Sequence, residues 1–325
     1  MSKTVCVLSR TSKKLIAKLE ELLPLVNFID VSLTDLTPLK TSKVILADYD
    51  LIGPHLYDLK HTQWVQGTWA GLDFLWPFIK KDDPPKFPIL RTSGENFGRL
   101  MGEYVYANIV FQERQYFKIR ENQQRKIWDR DVSPHDYRGM NDLKIGILGL
   151  GSIGNYISKT LNQLGATIYG LGRRESIPLE TDEYRHVSTY FSQQNLSGLL
   201  ESVDYIVNVL PKTEETNNLL GNGILERCKG KNVIFINIGR GNIIKESELI
   251  HALKEKWISG AILDVFETEP LPKESPLWDF NNVFITPHVS GNSRAQDVAE
   301  KFRTNYENYV KGLPFINQID FEKGY

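Results

Sequence analysis

Lys144-Ile145-Gly146-Ile147-Leu148 runs directly into Gly149-Leu150-Gly151-Ser152-Ile153-Gly154. The first five residues form a short apolar run of strand type. From Ile153 the pattern turns helical and continues to residue 164, where Gly165 supplies a C-cap. A lone Gly-x-Gly-x-x-Gly is a weak signal, but between a strand and a helix it acquires a mechanism. Gly149 permits the tight turn, Gly151 lets the backbone approach a pyrophosphate, and Gly154 lets helix and strand pack closely. The N–H groups of the first helical turn, those of Ser152 and Ile153 among them, then face an anion together with the positive end of the helix dipole. The frame favours a dinucleotide site over a glycine-rich turn that binds nothing.

The next strand indicates which dinucleotide. An NAD-binding unit usually ends its second strand with an acid about 20 residues on, which binds the ribose 2′-hydroxyl. Here the strand 167–171 ends at Gly172, and Arg173-Arg174 follow. A carboxylate at that point would repel a 2′-phosphate, whereas a guanidinium binds one by charge-assisted hydrogen bonds. The expected cofactor is therefore NADP(H), with NAD(H) the lesser choice. The competing reading of the arginine pair is solvated surface charge.

Working outward, short apolar runs alternate with helical patterns along most of the 325 residues, which argues an α/β protein with parallel sheets. Strands are predicted at 5–8, 26–31, 44–46, 64–66 and 89–90, with an exposed Pro- and Lys-rich loop at 80–88. One long helix is predicted over 95–118, where Phe97, Leu100, Met101, Tyr104, Val105 and Ile109 recur at helical spacing. A polar segment, 122–142, contains Pro134 and Gly139 and shows little periodicity. The second series of strands is predicted at 144–148, 167–171, 205–209, 233–237, 261–264 and 283–286, followed by a helix over 293–310. The length suggests two domains.

The formal charge of −1 offers no field for nucleic acid or an anionic membrane. Lys3, Arg10, Lys13, Lys14 and Lys18 bunch ahead of Glu20, as in a transit peptide. A buried first strand followed by an amphipathic helix over 13–23 accounts for them better. No apolar run approaches the roughly 18 residues of a membrane span. Cys6 and Cys228 make no metal or redox spacing, no metal is expected, and the expected compartment is the cytoplasm.

Three further segments each follow a predicted strand: Asn237-Ile238-Gly239-Arg240-Gly241, Leu263-Asp264-Val265-Phe266-Glu267-Thr268-Glu269-Pro270-Leu271 and Thr286-Pro287-His288-Val289-Ser290-Gly291. They therefore gather at the carboxyl edge of a sheet, where ligands bind. A histidine has the side chain that titrates nearest neutrality and suits acid/base work. A carboxylate beside it keeps an imidazolium protonated, and an arginine binds a carboxylate or polarised carbonyl through its planar fork.

With the glycine turn, these segments resemble the D-isomer-specific 2-hydroxyacid dehydrogenases. The resemblance extends to Leu210-Pro211, Pro276-Leu277-Trp278 and Trp69-Ala70-Gly71-Leu72-Asp73, and so to nearly the whole chain. It implies two Rossmann-like doubly wound domains flanking a cleft. A flavodoxin-like substrate domain takes residues 1–93 plus 291–325, and an NAD(P)-binding Rossmann domain takes 94–290, with the two crossings acting as hinges. It implies His288 as the acid/base, Glu269 as its partner and Arg240 on the substrate carboxylate or carbonyl. Besides the glycine turn and the arginine pair, Leu210, Pro211, Thr216, Ile238, Gly239, Arg240, Asp264 and His288 are implied as cofactor contacts, with Asp264 at the nicotinamide carboxamide. Trp69, Ala70 and Gly71 are implied at the substrate, together with Arg240 and His288. Trp69 either walls off the pocket or packs into its domain core. A homodimer through the cofactor domain is implied, with the helix from about Met101 to Phe117 and an arm carrying Trp128 at the interface.

The expected reaction is NADPH-linked reduction of small 2-keto acids (glyoxylate, hydroxypyruvate, pyruvate) to D-2-hydroxy acids. Two alternatives stay open at this point. One is NAD-linked oxidation, as in a phosphoglycerate dehydrogenase. The other is a dinucleotide-sensing binding protein like the C-terminal-binding transcriptional co-repressors. Formate dehydrogenases fit poorly, because glutamine partners their histidine where Glu269 stands here.

Overall fold

The computed structural model describes residues 3–132 and 137–322, and the chain divides into two compact units, Met1–Asn96 with Asn292–Tyr325, and Phe97–Gly291. In chain order the elements are β1 (Thr4–Leu8), α1 (Ser12–Leu22), β2 (Asn27–Asp30), β3 (Val44–Ala47), α2 (Tyr49–Ile52), β4 (Trp64–Gly67) and β5 (Ile89–Leu90). Then come α3 (Glu95–Glu113), α4 (Tyr116–Gln124), β6 (Lys144–Leu148), α5 (Ser152–Gln163), β7 (Thr167–Gly172), β8 (Thr189–Ser192), α6 (Leu196–Leu200) and β9 (Tyr205–Asn208). The series closes with β10 (Ile234–Asn237), α7 (Glu246–Lys254), β11 (Gly260–Leu263), β12 (Val283–Ile285) and α8 (Ala295–Lys311). Short single-turn helices link several of these.

In the first unit five parallel strands lie in the order β2-β1-β3-β4-β5, the flavodoxin-like arrangement. Strands β3 and β4 are buried along their whole length, as parallel strands covered on both faces must be. Helices α1 and α8 pack together beside this sheet. Trp64 stacks on Phe302 of α8 at 5.4 Å between centroids, which anchors the returning tail to the sheet.

In the second unit seven parallel strands lie in the order β12-β11-β10-β9-β6-β7-β8. Counted within the unit, the first strand β6 is central and the order reverses between β6 and β9, the switch point of a Rossmann sheet. Register brings the carboxyl ends level: Leu148 pairs with Leu171 and Asn208, Asn208 with Asn237, and Asn237 with Leu263. Every loop expected to carry chemistry in this unit therefore leaves from one edge.

Two expectations need correction. The single helix over 95–118 is two, because Gln115 adopts a left-handed conformation (φ 56°) between α3 and α4 while its Nε2 donates to the Gln112 carbonyl. Aromatic packing explains the break. The turn sets Phe117 against Phe284 of the edge strand at 4.7 Å and leaves Tyr116 against Phe111 at 5.1 Å. Helix α4 also occupies the start of the segment read as irregular; Pro134 of that segment lies outside the described residues. Strand β8 was not foreseen, since Thr-Tyr-Phe-Ser is a half-buried edge strand with little apolar content.

Candidate active site

The glycine turn leaves β6 with Gly149 at φ 104°, a left-handed backbone that glycine adopts at no steric cost. A side chain at Gly154 would meet the Gly149 carbonyl oxygen at 1.9 Å, whereas one at Gly151 would enter open space. That exposed, uncluttered approach at Gly151 is what a pyrophosphate requires. Gly151 is the N-cap of α5, and no side chain caps the helix, so its first N–H groups are left for an anion. Ser152 is exposed there and Ile153 half-buried. The residues present fit a dinucleotide.

At the end of β7, Arg173 and Arg174 are exposed and no carboxylate ends the strand. Tyr190 of β8 donates its hydroxyl to the Arg174 carbonyl at 2.8 Å, which fixes the turn that presents the pair. Glu215 stands in the field of Arg173. Hydrogen bonds from Thr213 and from its own backbone, joined by that positive charge, hold its carboxyl below the ordinary range. Neither Tyr190 nor Glu215 was singled out by motif; the β7–β8 pairing brings Tyr190 here, and Glu215 arrives from the loop after β9.

Two buried asparagines end β9 and β10 and shape the next loops. Asn208 Nδ2 donates to Asn237 Oδ1 at 2.8 Å, while Asn208 Oδ1 accepts from Leu210 N at 3.1 Å. Asn237 in turn donates to the Arg240 carbonyl at 3.2 Å. Thr216 is buried and donates to the Pro211 carbonyl at 2.7 Å, so its side chain closes its own loop while Pro211 is exposed. The Ile238 side chain is likewise in the core. What Ile238 and Gly239 leave at this edge is backbone.

Arg240, half-buried, donates from Nη1 to the Gly239 carbonyl at 2.6 Å. The following Gly241 packs so closely on the next loop that a side chain there would meet the Phe266 carbonyl carbon at 1.8 Å. This contact sets the arginine turn against the loop of Glu269. Glu269 Oε1 accepts from Phe266 N at 3.0 Å, and Oε2 lies 2.8 Å from His288 Nδ1. The hydrogen bond to Glu269 raises the imidazole above its ordinary value; partial burial and the Arg240 charge oppose this, and the Glu269 and Asp264 charges add to it. Burial works to raise the Glu269 carboxyl, but the bonds from His288 and Phe266 N–H and the nearby positive charges outweigh it and hold the group low. The pair is thus a hydrogen-bonded histidine–carboxylate dyad in which each group favours the charged form of the other, with the second ring nitrogen, Nε2, unengaged by Glu269.

Asp264, implied by the resemblance at the nicotinamide carboxamide, follows β11 at the same edge. It is fully buried, and its carboxylate accepts from Thr286 Oγ1, Val289 N and Ser290 N. With both oxygens turned into the 286–290 loop, it acts on the conformation of that loop.

In the first unit Trp69, Ala70 and Gly71 follow β4 at the carboxyl edge of its sheet, all half-buried. The Trp69 ring meets Tyr49 and Phe74 edge-on at 6.3 and 5.5 Å, so of its two readings packing accounts for most of the side chain. Among the described residues no three His, Cys, Asp or Glu side chains are grouped to hold a metal ion, and no helix is long and apolar enough to cross a membrane.

A dinucleotide turn at a Rossmann switch point, sharing its edge with a histidine–glutamate dyad and an arginine, defines a nicotinamide-dependent oxidoreductase. Comparison with known proteins makes this specific. Residues 107–290 match the model of the D-isomer specific 2-hydroxyacid dehydrogenase, NAD binding domain. A solved D-isomer specific 2-hydroxyacid dehydrogenase family protein from Aeromonas salmonicida subsp. salmonicida A449 is 33% identical over 99% of this chain and 100% of that one, with a TM-score of 0.84. The D-isomer specific 2-hydroxyacid dehydrogenase of Xanthobacter autotrophicus Py2, solved with NADPH and MES, is 26% identical over 100% of both chains, also with a TM-score of 0.84. At 24% identity the NADPH-dependent glyoxylate/hydroxypyruvate reductase of Sinorhizobium meliloti shares the fold over 100% of both chains, with a TM-score of 0.82. The chain belongs to the D-isomer specific 2-hydroxyacid dehydrogenase family.

Proposed function

We propose that the protein reduces small 2-keto acids, glyoxylate and hydroxypyruvate foremost and pyruvate next, to D-2-hydroxy acids with NADPH. The observation that carries this reading is the 2.8 Å His288–Glu269 dyad on the same sheet edge as Arg240 and the glycine turn. The reduced nicotinamide, when bound, supplies the hydride. Glu269 holds the Nδ1 side of the ring, so the proton for the keto oxygen comes from His288 Nε2. Arg240 binds the substrate carboxylate or the polarised carbonyl through its guanidinium. In the first unit, Ala70 and Gly71 offer backbone N–H groups for binding a carboxylate, and the exposed part of Trp69 limits substrate size. In this reading 97–291 holds the dinucleotide and 1–96 with 292–325 the substrate. Arg173 and Arg174 favour the 2′-phosphate, in keeping with the NADPH bound to the Xanthobacter autotrophicus relative. The protein works as a homodimer in the cytoplasm.

The experiment is to follow oxidation of NADPH and NADH with glyoxylate, hydroxypyruvate, pyruvate, longer 2-keto acids and oxaloacetate, beside His288→Ala and the double variant Arg173→Ala/Arg174→Ala. We expect NADPH-linked turnover that His288→Ala abolishes. Losing two charge-assisted contacts should raise KM for NADPH by about 10- to 100-fold and leave NADH nearly unchanged. Equal efficiency with both cofactors in the wild type would overturn the NADP preference. Binding of dinucleotide without turnover on any acid would overturn the reaction.

A further inference from the structure

A chain of hydroxyls runs from α3 to the loop that carries His288. The Tyr104 hydroxyl lies 2.7 Å from Thr286 Oγ1, and Thr286 Oγ1 donates to Asp264 Oδ1 at 2.5 Å. The single hydroxyl proton of Thr286 is committed to the carboxylate, so Tyr104 is the donor in its own bond to Thr286. Tyr104 keeps that proton, since burial pushes its phenol up to about 12. Asp264 also accepts Val289 N on Oδ1 and Ser290 N on Oδ2, each at 2.9 Å, and its own carbonyl accepts His288 N at 2.9 Å. The three consecutive N–H groups of residues 288–290 thus all end on one buried residue. His288 sits among them at φ 54°, a left-handed conformation uncommon for a residue other than glycine. At the far end of the loop, Gly291 packs on Met101, one turn before Tyr104 on α3.

We infer that Tyr104 and Thr286 are positioning residues: through Asp264 they hold the 286–290 loop in the conformation that aims the His288 imidazole at Glu269 and at the substrate. The inference rests on the reading of His288 as proton donor. The two hydroxyls bond to each other and to Asp264, not to His288 or Glu269. The charged groups facing the imidazole are Glu269 from the loop after β11, Arg240 from the turn after β10 and Asp264 at the end of β11, while Tyr104 of α3 acts only by way of Thr286. Removing either hydroxyl slackens a loop whose one strained residue is the catalytic one.

The test uses full-length Tyr104→Phe, Thr286→Val, Thr286→Ser and His288→Ala, assayed for NADPH-linked glyoxylate reduction across pH, with NADPH affinity measured by fluorescence titration. Misaligning a proton donor by a fraction of an ångström should lower kcat about tenfold in Tyr104→Phe and about 10- to 100-fold in Thr286→Val. KM for glyoxylate and the Kd for NADPH should stay within about twofold of wild type. Thr286→Ser, which keeps the hydroxyl, should recover most of the rate. The alkaline limb of the pH profile should move down in Tyr104→Phe and Thr286→Val, as His288 loses its fixed alignment with Glu269. Wild-type kcat in both variants would overturn the inference, as would a loss confined to NADPH affinity. If Thr286→Val fails to fold, Tyr104→Phe, which lacks a single oxygen, decides alone. A His288→Ala enzyme that still turns over would remove the proton-donor reading itself. An inactive His288→Ala beside wild-type-like hydroxyl variants would remove only the positioning role.

Discussion

His288 and Glu269 bind each other's charged forms, and this fixes the sign of the pH dependence. Reduction needs the imidazolium, and the Glu269 hydrogen bond raises the imidazole above its ordinary value. The rate of keto-acid reduction should therefore stay level to a pH above that of an ordinary histidine, then fall about tenfold per pH unit beyond it. Oxidation of the hydroxy acid needs the neutral ring and should show the mirror-image profile. Glu269→Gln removes the charge that holds the proton, so its alkaline limb should move to lower pH and its rate at neutrality fall by about 10- to 100-fold. A profile unmoved by Glu269→Gln would mean that the observed limb belongs to another group. At this scale the sequence made position legible wherever a residue announces itself by motif: Arg240, Glu269 and His288 each follow a strand in a short recognisable string, and the strands bring them to one edge. It did not show the hydrogen-bond partners of Asp264, since Thr286, Val289 and Ser290 are tertiary neighbours, nor the bond of Tyr104, which lies 182 residues from Thr286.

Loops are placed by the strands they leave and by the backbone they lean on, and Gly241 shows the second effect. With only 1.8 Å between a Cβ there and the Phe266 carbonyl carbon, Gly241→Ala must push apart the turn of Arg240 and the loop of Glu269. An overlap against backbone cannot be relieved by a rotamer change, so a loss of about 2–4 kcal/mol is expected by denaturant titration. The remaining folded enzyme should show a raised KM for the keto acid, because Arg240 is displaced. Stability within about 0.5 kcal/mol of wild type would show that the two loops separate freely. The strands themselves were legible because parallel strands buried on both faces read as continuous apolar runs, as in β10 and β11. The break between α3 and α4 was not legible, since Phe111, Tyr116 and Phe117 keep a helical rhythm straight through it. What ends α3 is the packing of Phe117 on Phe284, from a strand far along the chain.

For the molecule as a whole, the second unit presents an apolar stripe that its own core does not use. Tyr106, Phe111, Tyr116, Ile119, Ile127 and Trp128 of α3, α4 and the following arm are all more than a third exposed, Trp128 by 92%. The arm is tethered where it returns to the sheet: Arg138 pairs with Glu113 at 2.6 Å and with Asp204 at 2.7 Å, and Arg114 lies 3.6 Å over the Tyr137 ring. Holding large apolar side chains in water at a fixed place is unfavourable unless something covers them. A second copy applied through a two-fold axis would bury each stripe against the other, which is the isologous contact a homodimer needs. Wild-type protein should then sediment at twice the chain mass, with the Trp128 fluorescence blue-shifted relative to a monomer. Ile127→Glu with Trp128→Glu should yield monomers by placing like charges across the axis, at little cost to the fold of a chain in which both side chains are already exposed. If the wild type sediments as a monomer at micromolar concentration, the stripe has another partner and the catalytic unit is the single chain. If the double variant is monomeric and keeps full turnover, the dimer serves stability alone; a monomer with impaired kcat would place the partner's arm in the catalytic cycle.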